Sequence, residues 1–460
     1  MSTNAMHHAG GRNKHKDIIF FGTDGIRGNA KRLFTNQLIY KIGFWCNKIL
    51  SNQGPILIGQ DSRSSSSRIS NGLADSLTSQ GREVWLLGLC PTPAVPLLIK
   101  KYNLSGGLMI SASHNPPEDN GIKIFDANAK KISTEKQRII DAGLQKEKVI
   151  NSGRKGDVIN RHEILKDYEE SLLKTIGLEN FGKIPIVLDL CWGSATACGE
   201  KIFKTLGSKV TCINAKPDGG KINVNCGSTH LNQLIKAVIE SNSEMGFAFD
   251  GDADRMIAVD RKGRVVDGDN ILFLWGSDLQ DKKKLKNQRL IATVMSNLGF
   301  EKDWQKRGGI LQRTPVGDTH VHQAMIDSKA DLGGEQSGHI LSRLNDLSGD
   351  GLLTAIQLSK ICKCKGMQLS DLLDQSFTPY PQRLINIPLG SDSSEDNIYG
   401  SEKLSTLIAD VQSDIGNEGR VLVRKSGTEP LLRVMIESMD KFLIESWASK
   451  ISKLAQEELN

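Results

Sequence analysis

Short apolar runs alternate with amphipathic stretches along most of this chain, and the alternation predicts strands and helices in turn. Leu38, Ile42, Trp45 and Ile49 recur at helical spacing, which predicts a helix over 37–50. Strands are expected at 55–59 and 83–89, with a helix at 64–80 between them, and Pro91-Thr92-Pro93 opens another helix. The rhythm returns twice. Strands are expected at 185–190, 209–213, 246–249 and 256–259, with helices at 197–206 and 231–241. Further strands follow at 290–295 and 310–313, with helices at 269–277, 320–328 and from Gly351 to about Lys365. Strands alternating with helices, with loops at the strand ends, indicate α/β layers. Beyond Ser376 the character changes to strands at 384–388, 421–424 and 432–436 and helices at 402–415 and 442–459, a small α+β unit.

A chain of 460 residues is too long for one core; a prior of roughly 150 residues per domain gives about three to four. The expected units are an α/β domain at 17–160, a second at 161–262, a third at 263–375 and a smaller C-terminal domain at 376–460. A basic tail, 1–16, precedes them and is expected to be disordered. The stretch 131–165 is charged and reads as surface helices and a boundary.

The net charge of +6 is small for this length and does not argue for nucleic acid. No apolar run approaches the ~18 residues that span a bilayer, and the tail lacks the apolar core of a signal peptide. The eight cysteines form no C-x-x-C pair and sit mostly in apolar runs. Reduced, buried thiols in a cytoplasmic protein are the expectation. Cys362-x-Cys364 reads as helix surface.

Four loops carry chemistry. In 107–125 an apolar run meets a small polar loop and then restarts, which reads as strand, tight loop, strand. The loop offers one hydroxyl, Ser113, at an expected exposed turn, with His114 beside it and Lys123 on the returning strand. Asp250, Asp252 and Asp254 alternate at the end of a strand, where carboxylates can curl around one hard cation. An EF-hand is excluded, because its sixth and twelfth positions would be Arg255 and Arg261. A strand-end D-x-D also suits an aspartyl nucleophile, so a metal-dependent phosphatase using Asp250 stays open. Glu335, Gln336, Ser337 and His339 lie between glycines and suit a hydroxyl-rich ligand. Arg424, Ser426, Gly427 and Thr428, with Arg433, have the composition of an anion site.

Taken together, the loops at 21–28, 111–116, 250–255, 334–339 and 424–430 closely resemble the signature loops of the α-D-phosphohexomutase superfamily, in the same order. The resemblance covers about residues 18 to 455. It implies four domains around a central cleft, three of them related α/β domains with mixed sheets and the fourth smaller. It also implies a phosphoserine at Ser113 and Mg2+ on Asp250, Asp252, Asp254 and a phosphoserine oxygen. Arg27, His114, Lys123 and Arg255 would line the reacting phosphate. Glu335, Ser337 and His339 would hold the sugar. Arg424, Ser426, Gly427 and Thr428, with Arg433 nearby, would grip the second phosphate. Gln336 is more like the superfamily members that act on glucosamine phosphates, since the mannose/glucose mutases usually carry Met there. The implied ligand is a hexosamine phosphate, with glucosamine 1,6-bisphosphate as intermediate and activator. Phosphomannomutase or phosphoglucomutase activity, and non-catalytic sugar-phosphate binding, are the alternatives. An activating kinase is one source of the first phosphoryl group, and a monomer or weak dimer is expected. The chain departs from the usual pattern at Gln60, leaving Asp61 and Arg63 to carry over. Thr319-His320 stands where an arginine is common, so His320 or Arg313 is the expected substitute. Cys191-Trp192-Gly193 replaces a usual Ala-Asn-Gly and reads as structural.

Overall fold

Among the described residues, four β-sheets organise the chain. The first contains β1 (Ile26–Asn29), β2 (Ile56–Gln60), β3 (Val84–Leu89), β4 (Gly106–Ile110), β5 (Asp119–Asp126) and β6 (Val158–Asn160), in the order β1-β5-β4-β2-β3-β6. The second contains β7 (Pro185–Asp189), β8 (Lys209–Ile213), β9 (Met245–Phe249), β10 (Met256–Asp260) and β11 (Val265–Val266), in the order β11-β10-β9-β7-β8. The third contains β12 (Arg289–Thr293), β13 (Ile310–Thr314), β14 (Leu332–Gly334) and β15 (Ile340–Ser342), in the order β13-β12-β14-β15. The fourth is antiparallel, with β16 (Gln382–Pro388), β17 (Gly419–Lys425) and β18 (Leu431–Ser438) in the order β16-β18-β17. This computed structural model describes residues 25–50, 54–146, 153, 155–177, 180–388, 402–425 and 431–459. The expected tail at 1–16 and the loop residues Ser426, Gly427 and Thr428 lie outside that set.

The first three sheets share one device. In each, a parallel strand runs into a loop and returns antiparallel beside itself: β4 to β5, β9 to β10, and β14 to β15. Parallel strands buried on both faces read as continuous apolar runs, as in the fully buried β4 and β9. One continuous apolar core, from Leu57 through Phe247 to Phe377, joins the first three sheets. The fourth packs its own core from Ile387, Val411, Val434 and Ile451.

Helix starts follow the side-chain chemistry. Thr35 caps the helix Asn36–Ile49, accepting from the Leu38 amide. Asp267 forms a capping box with Asn270 on the helix Gly268–Asp281. Asp350 caps Gly351–Lys365 and also accepts from the buried Tyr168 hydroxyl at 3.0 Å.

Several expectations need correction. The charged stretch 131–165 contains a helix, Thr134–Leu144, but also the edge strand β6, parallel to β3. Its three residues are all exposed and too few to show a period. The helix Leu298–Lys306 has no counterpart in the reading above; the Asn297 side chain caps it. The loop read at 334–339 joins two short strands, β14 and β15, that the sequence pattern did not reveal. Of the pair read as helix surface, Cys362 is buried and Cys364 exposed. Among the described residues no helix is long and apolar enough to cross a membrane.

Candidate active site

Ser113 lies in the loop joining β4 to β5, and it is buried at 1 % exposure, not displayed on an open turn as the sequence led us to expect. The second sheet's loop covers it. Its φ of +53° is in the left-handed region, which costs a non-glycine residue on the order of 1–3 kcal/mol and persists only where its surroundings fix it. They do. Ser111 Oγ accepts from the Ser113 amide at 2.8 Å. Arg63 donates to the carbonyls of Ser113 at 2.9 Å, Asn115 at 2.7 Å and Asp119 at 2.9 Å, and to that of Pro116. Asp61 pairs with Arg63 Nε at 2.9 Å and accepts from Ser66 and Ser111. A planar guanidinium with five donors suits a crowd of carbonyls as an ammonium would not.

The carboxylate loop follows β9. Asp250, Asp252 and Asp254 are all buried, and one oxygen from each lies within 4.8 Å of the others. Gly251 is required for closeness: a Cβ there would stand 2.6 Å from the Ser113 carbonyl oxygen. Ser113 Oγ donates to Asp250 Oδ2 at 2.5 Å across this seam. Thr92, read above only as a helix opener, donates its hydroxyl to Asp252 Oδ2 at 2.6 Å and its amide to the Asp252 carbonyl. Burial, reinforced by Asp254 and Asp252, pushes the Asp250 pKa well up. Burial also acts to raise Asp254, but Lys123 and His339 outweigh it and hold that carboxyl well below the usual range. Among the described residues, Asp252 Oδ1 and Asp254 Oδ1 are buried without a hydrogen-bond partner. Unsatisfied carboxylate oxygens at a strand end are what a hard divalent cation takes as ligands, so the donor set fits a metal.

Lys123 reaches across to the carboxylate loop. It is 2 % exposed on β5, and its Nζ lies 2.7 Å from both Asp252 Oδ2 and Asp254 Oδ2. His114 stays close to the serine, with Nδ1 3.2 Å from Ser113 Oγ. Burial, then the charges of Arg255 and Arg27, lower its pKa to about 4, so the imidazole is neutral at pH 7. Those two arginines therefore lie within electrostatic reach of His114. They reach it from the carboxylate loop and from β1.

The loop between β14 and β15 meets the carboxylate loop directly. His339 is buried, with Nδ1 3.5 Å from Asp254 Oδ1 and Nε2 3.6 Å from Asp318 Oδ2. Burial lowers its pKa, but Asp254 prevails and raises it. Lys131 of the first unit pairs with Asp318. Sequence reading passed over Asp318 as part of a turn. Glu335 is buried and accepts from the Gly317 amide at 3.0 Å, whereas Ser337 is exposed. Gln336 donates to Asp267 Oδ2 at 3.2 Å. Of the two expected substitutes for the missing arginine, Arg313 is held by Glu301 at 2.8 Å and the Ser296 carbonyl, and His320 is exposed.

On the fourth sheet, Arg424 and Arg433 stand directly opposite each other on β17 and β18. Burial and Arg433 lower the Arg424 pKa, while Glu335 opposes them, which sets Arg424 within electrostatic reach of the β14–β15 loop.

Three mixed-sheet α/β/α domains, a C-terminal antiparallel sheet and a serine hydrogen-bonded to one member of a three-carboxylate cluster define a phosphohexomutase. The chain belongs to the phosphoglucomutase/phosphomannomutase family: α/β/α domains I, II and III match residues 19–150, 166–263 and 267–380, and the C-terminal domain matches 384–454. Within that family it groups with the phosphoglucosamine mutases, which are isomerases acting as intramolecular phosphotransferases. It is 63 % identical over 461 residues to the phosphoglucosamine mutase of Prochlorococcus marinus, with 100 % of each chain covered. It is 53 % identical over 444 residues to that of a Synechococcus strain, covering 96 % of this chain and 98 % of the other. Among solved structures, a phosphoglucomutase/phosphomannomutase family protein from Burkholderia thailandensis shares the fold, with a TM-score of 0.80 at 22 % identity over 96 % of this chain and 98 % of that one. N-acetylphosphoglucosamine mutase from Aspergillus fumigatus, solved with GlcNAc-6P and magnesium, shares it at a TM-score of 0.65 and 18 % identity, over 98 % and 97 % of the two chains.

Proposed function

We propose that this chain interconverts glucosamine 6-phosphate and glucosamine 1-phosphate through phospho-Ser113, with glucosamine 1,6-bisphosphate as the intermediate. The 2.5 Å contact between Ser113 Oγ and Asp250 carries the reading. It joins a buried hydroxyl of the first loop to a buried carboxylate cluster. An acyl-enzyme serine would need a base, and the carboxylates here instead suit a cation beside a phosphoserine.

In the proposed cycle a hydroxyl of the bound sugar attacks the phosphorus of phospho-Ser113. The bond from phosphorus to Ser113 Oγ breaks, and the hydroxyl's proton ends on that oxygen. The bisphosphate turns over in place and returns its other phosphoryl group to Ser113. Asp250, Asp252 and Asp254, with a phosphoserine oxygen, would hold Mg2+, which supplies charge neutralisation for the transferring group. Arg27 and Arg255 would steady the phosphoryl oxygens, and neutral His114 can accept or donate a hydrogen bond without adding charge. Glu335, Ser337 and His339 would hold the sugar. Arg424, Ser426, Gly427 and Thr428, with Arg433, would hold the phosphate that is not reacting.

The test is Ser113→Ala. Turnover should fall to background while the protein melts as wild type does, and intact mass should show phosphate on the wild-type Ser113 peptide alone. Wild-type turnover in that variant would overturn the reading. Phosphate found on Asp250 would favour a phosphatase. Comparing kcat/KM for glucosamine, mannose and glucose phosphates tests the substrate.

A further inference from the structure

We propose that Asn223 is a positioning residue for Ser113, gripping the serine loop from the neighbouring unit. The inference rests on Ser113 being the phosphoryl carrier. Asn223 lies between β8 and β9 in a Gly/Asn-rich stretch that reads as a mere connection, yet it is 8 % exposed with a φ of +61°. Its Nδ2 donates to the Ser113 carbonyl at 2.8 Å and to the Asn115 carbonyl at 2.9 Å, so both amide hydrogens are used. These are two of the carbonyls that Arg63 holds from the other side.

The two grips do different things. Arg63 sits beside β2 and fixes the loop within its own sheet. Asn223 belongs to the sheet that carries Asp250, Asp252 and Asp254, so it fixes the loop relative to the carboxylates. The same seam contains Gly251, whose added Cβ would lie 2.6 Å from the Ser113 oxygen and 3.1 Å from Asn223 Nδ2. The Asn223 amide is itself oriented, because its Oδ1 accepts from the thiol of Cys191 at 3.0 Å. Cys191 is fully buried at the end of β7, with a φ of +56°. A residue that looked only structural in the sequence thus aims the amide that aims the serine.

The experiment compares kcat, KM, melting temperature and Ser113 phosphate occupancy for wild type, Asn223→Ala and Asn223→Asp. Aspartate matches asparagine in size but sets an acceptor against two carbonyls. A positioning role makes Asn223→Asp the worse variant. Its kcat should fall roughly tenfold or more for the two lost bonds, with KM within about twofold of wild type. If alanine proves worse than aspartate, Asn223 only fills space and the proposal fails. It fails equally if KM rises while kcat holds. Should Asn223→Asp not fold, the pair Cys191→Ser and Cys191→Ala gives the same test. Serine keeps a donor to Oδ1 and should keep kcat, whereas alanine should lower it; equal loss in both overturns the proposal. Wild type without phosphate on Ser113 overturns the phosphoserine reading itself, whereas full kcat in a phosphorylated Asn223→Asp protein overturns only the role of Asn223.

Discussion

At the scale of the residue, burial decides what each ionisable group can do. Asp350 is 1 % exposed, and burial raises its pKa to about 6 against the pull of the Leu353 amide and Tyr168 hydroxyl. A carboxyl whose folded pKa lies above its unfolded value binds more protons when folded. Stability therefore falls as pH rises from about 4 to about 6, and the loss is complete above the folded pKa. A shift of two units corresponds to about 3 kcal/mol. Asp350→Asn keeps an acceptor for the helix cap and for Tyr168 without the buried charge. Urea unfolding should find the variant less favoured at pH 4 than at pH 8, gaining up to that amount relative to wild type across the window. A difference between the two proteins that does not change with pH would contradict this. Residue identities at the site were legible for the same reason that they matter. Carboxylates at 250, 252 and 254 leave few readings. Their neighbours were not legible: Thr92, Asp318 and Asn223 are ordinary polar residues whose partners lie far away in sequence, and only the fold brings them together.

At the scale of the element, hydrophobic period reveals what is long enough to show one. The helix Glu402–Ile415 and the strand Lys209–Ile213 fall where the pattern puts them. The three-residue strands β6, β14 and β15 do not, because alternation needs about four residues to be seen. Polar joints between elements are equally hidden. Arg420 on β17 pairs at 2.6 Å with Glu437 opposite it on β18, and Glu437 is fully buried. Arg420 also donates to the carbonyls of Val294 and Ser296, while Glu437 accepts from the Leu298 amide at 2.9 Å. Two side chains thus tie the fourth sheet to the start of the helix Leu298–Lys306. Removing one partner of a buried pair strands the other and costs about 3–5 kcal/mol. Arg420→Met should lower the unfolding midpoint accordingly, and Arg420→Met with Glu437→Gln should recover part of the loss. A single variant as stable as wild type would show that the joint contributes little.

At the scale of the whole molecule, the carboxylate cluster belongs to three units at once. Asp250 receives the Ser113 hydroxyl from the first, Asp252 and Asp254 share the first unit's Lys123, and Asp254 meets His339 of the third. Three close carboxylates repel one another unless a cation stands among them, and Lys123 is a cation the chain supplies itself. A divalent ion bound to Asp252 and Asp254 therefore competes electrostatically with an ammonium already on their Oδ2 atoms, since the two positive charges repel. Replacing Lys123 by Met removes that competitor and leaves the cluster more negative. The metal-free variant should be less stable than wild type, because the repulsion is uncompensated. Added Mg2+ should stabilise the variant more than it stabilises wild type, since a ligand that binds only the folded state adds RT ln(1 + [L]/Kd), about 2.7 kcal/mol at a hundred times Kd. Melting curves of both proteins in chelator and across a Mg2+ series check this without any assay of turnover. If Mg2+ raises both melting temperatures by the same amount, Lys123 does not compete for the cluster. If Mg2+ raises neither, the carboxylates are held by lysine and histidine alone, and the joint between the units is a salt bridge rather than a metal site.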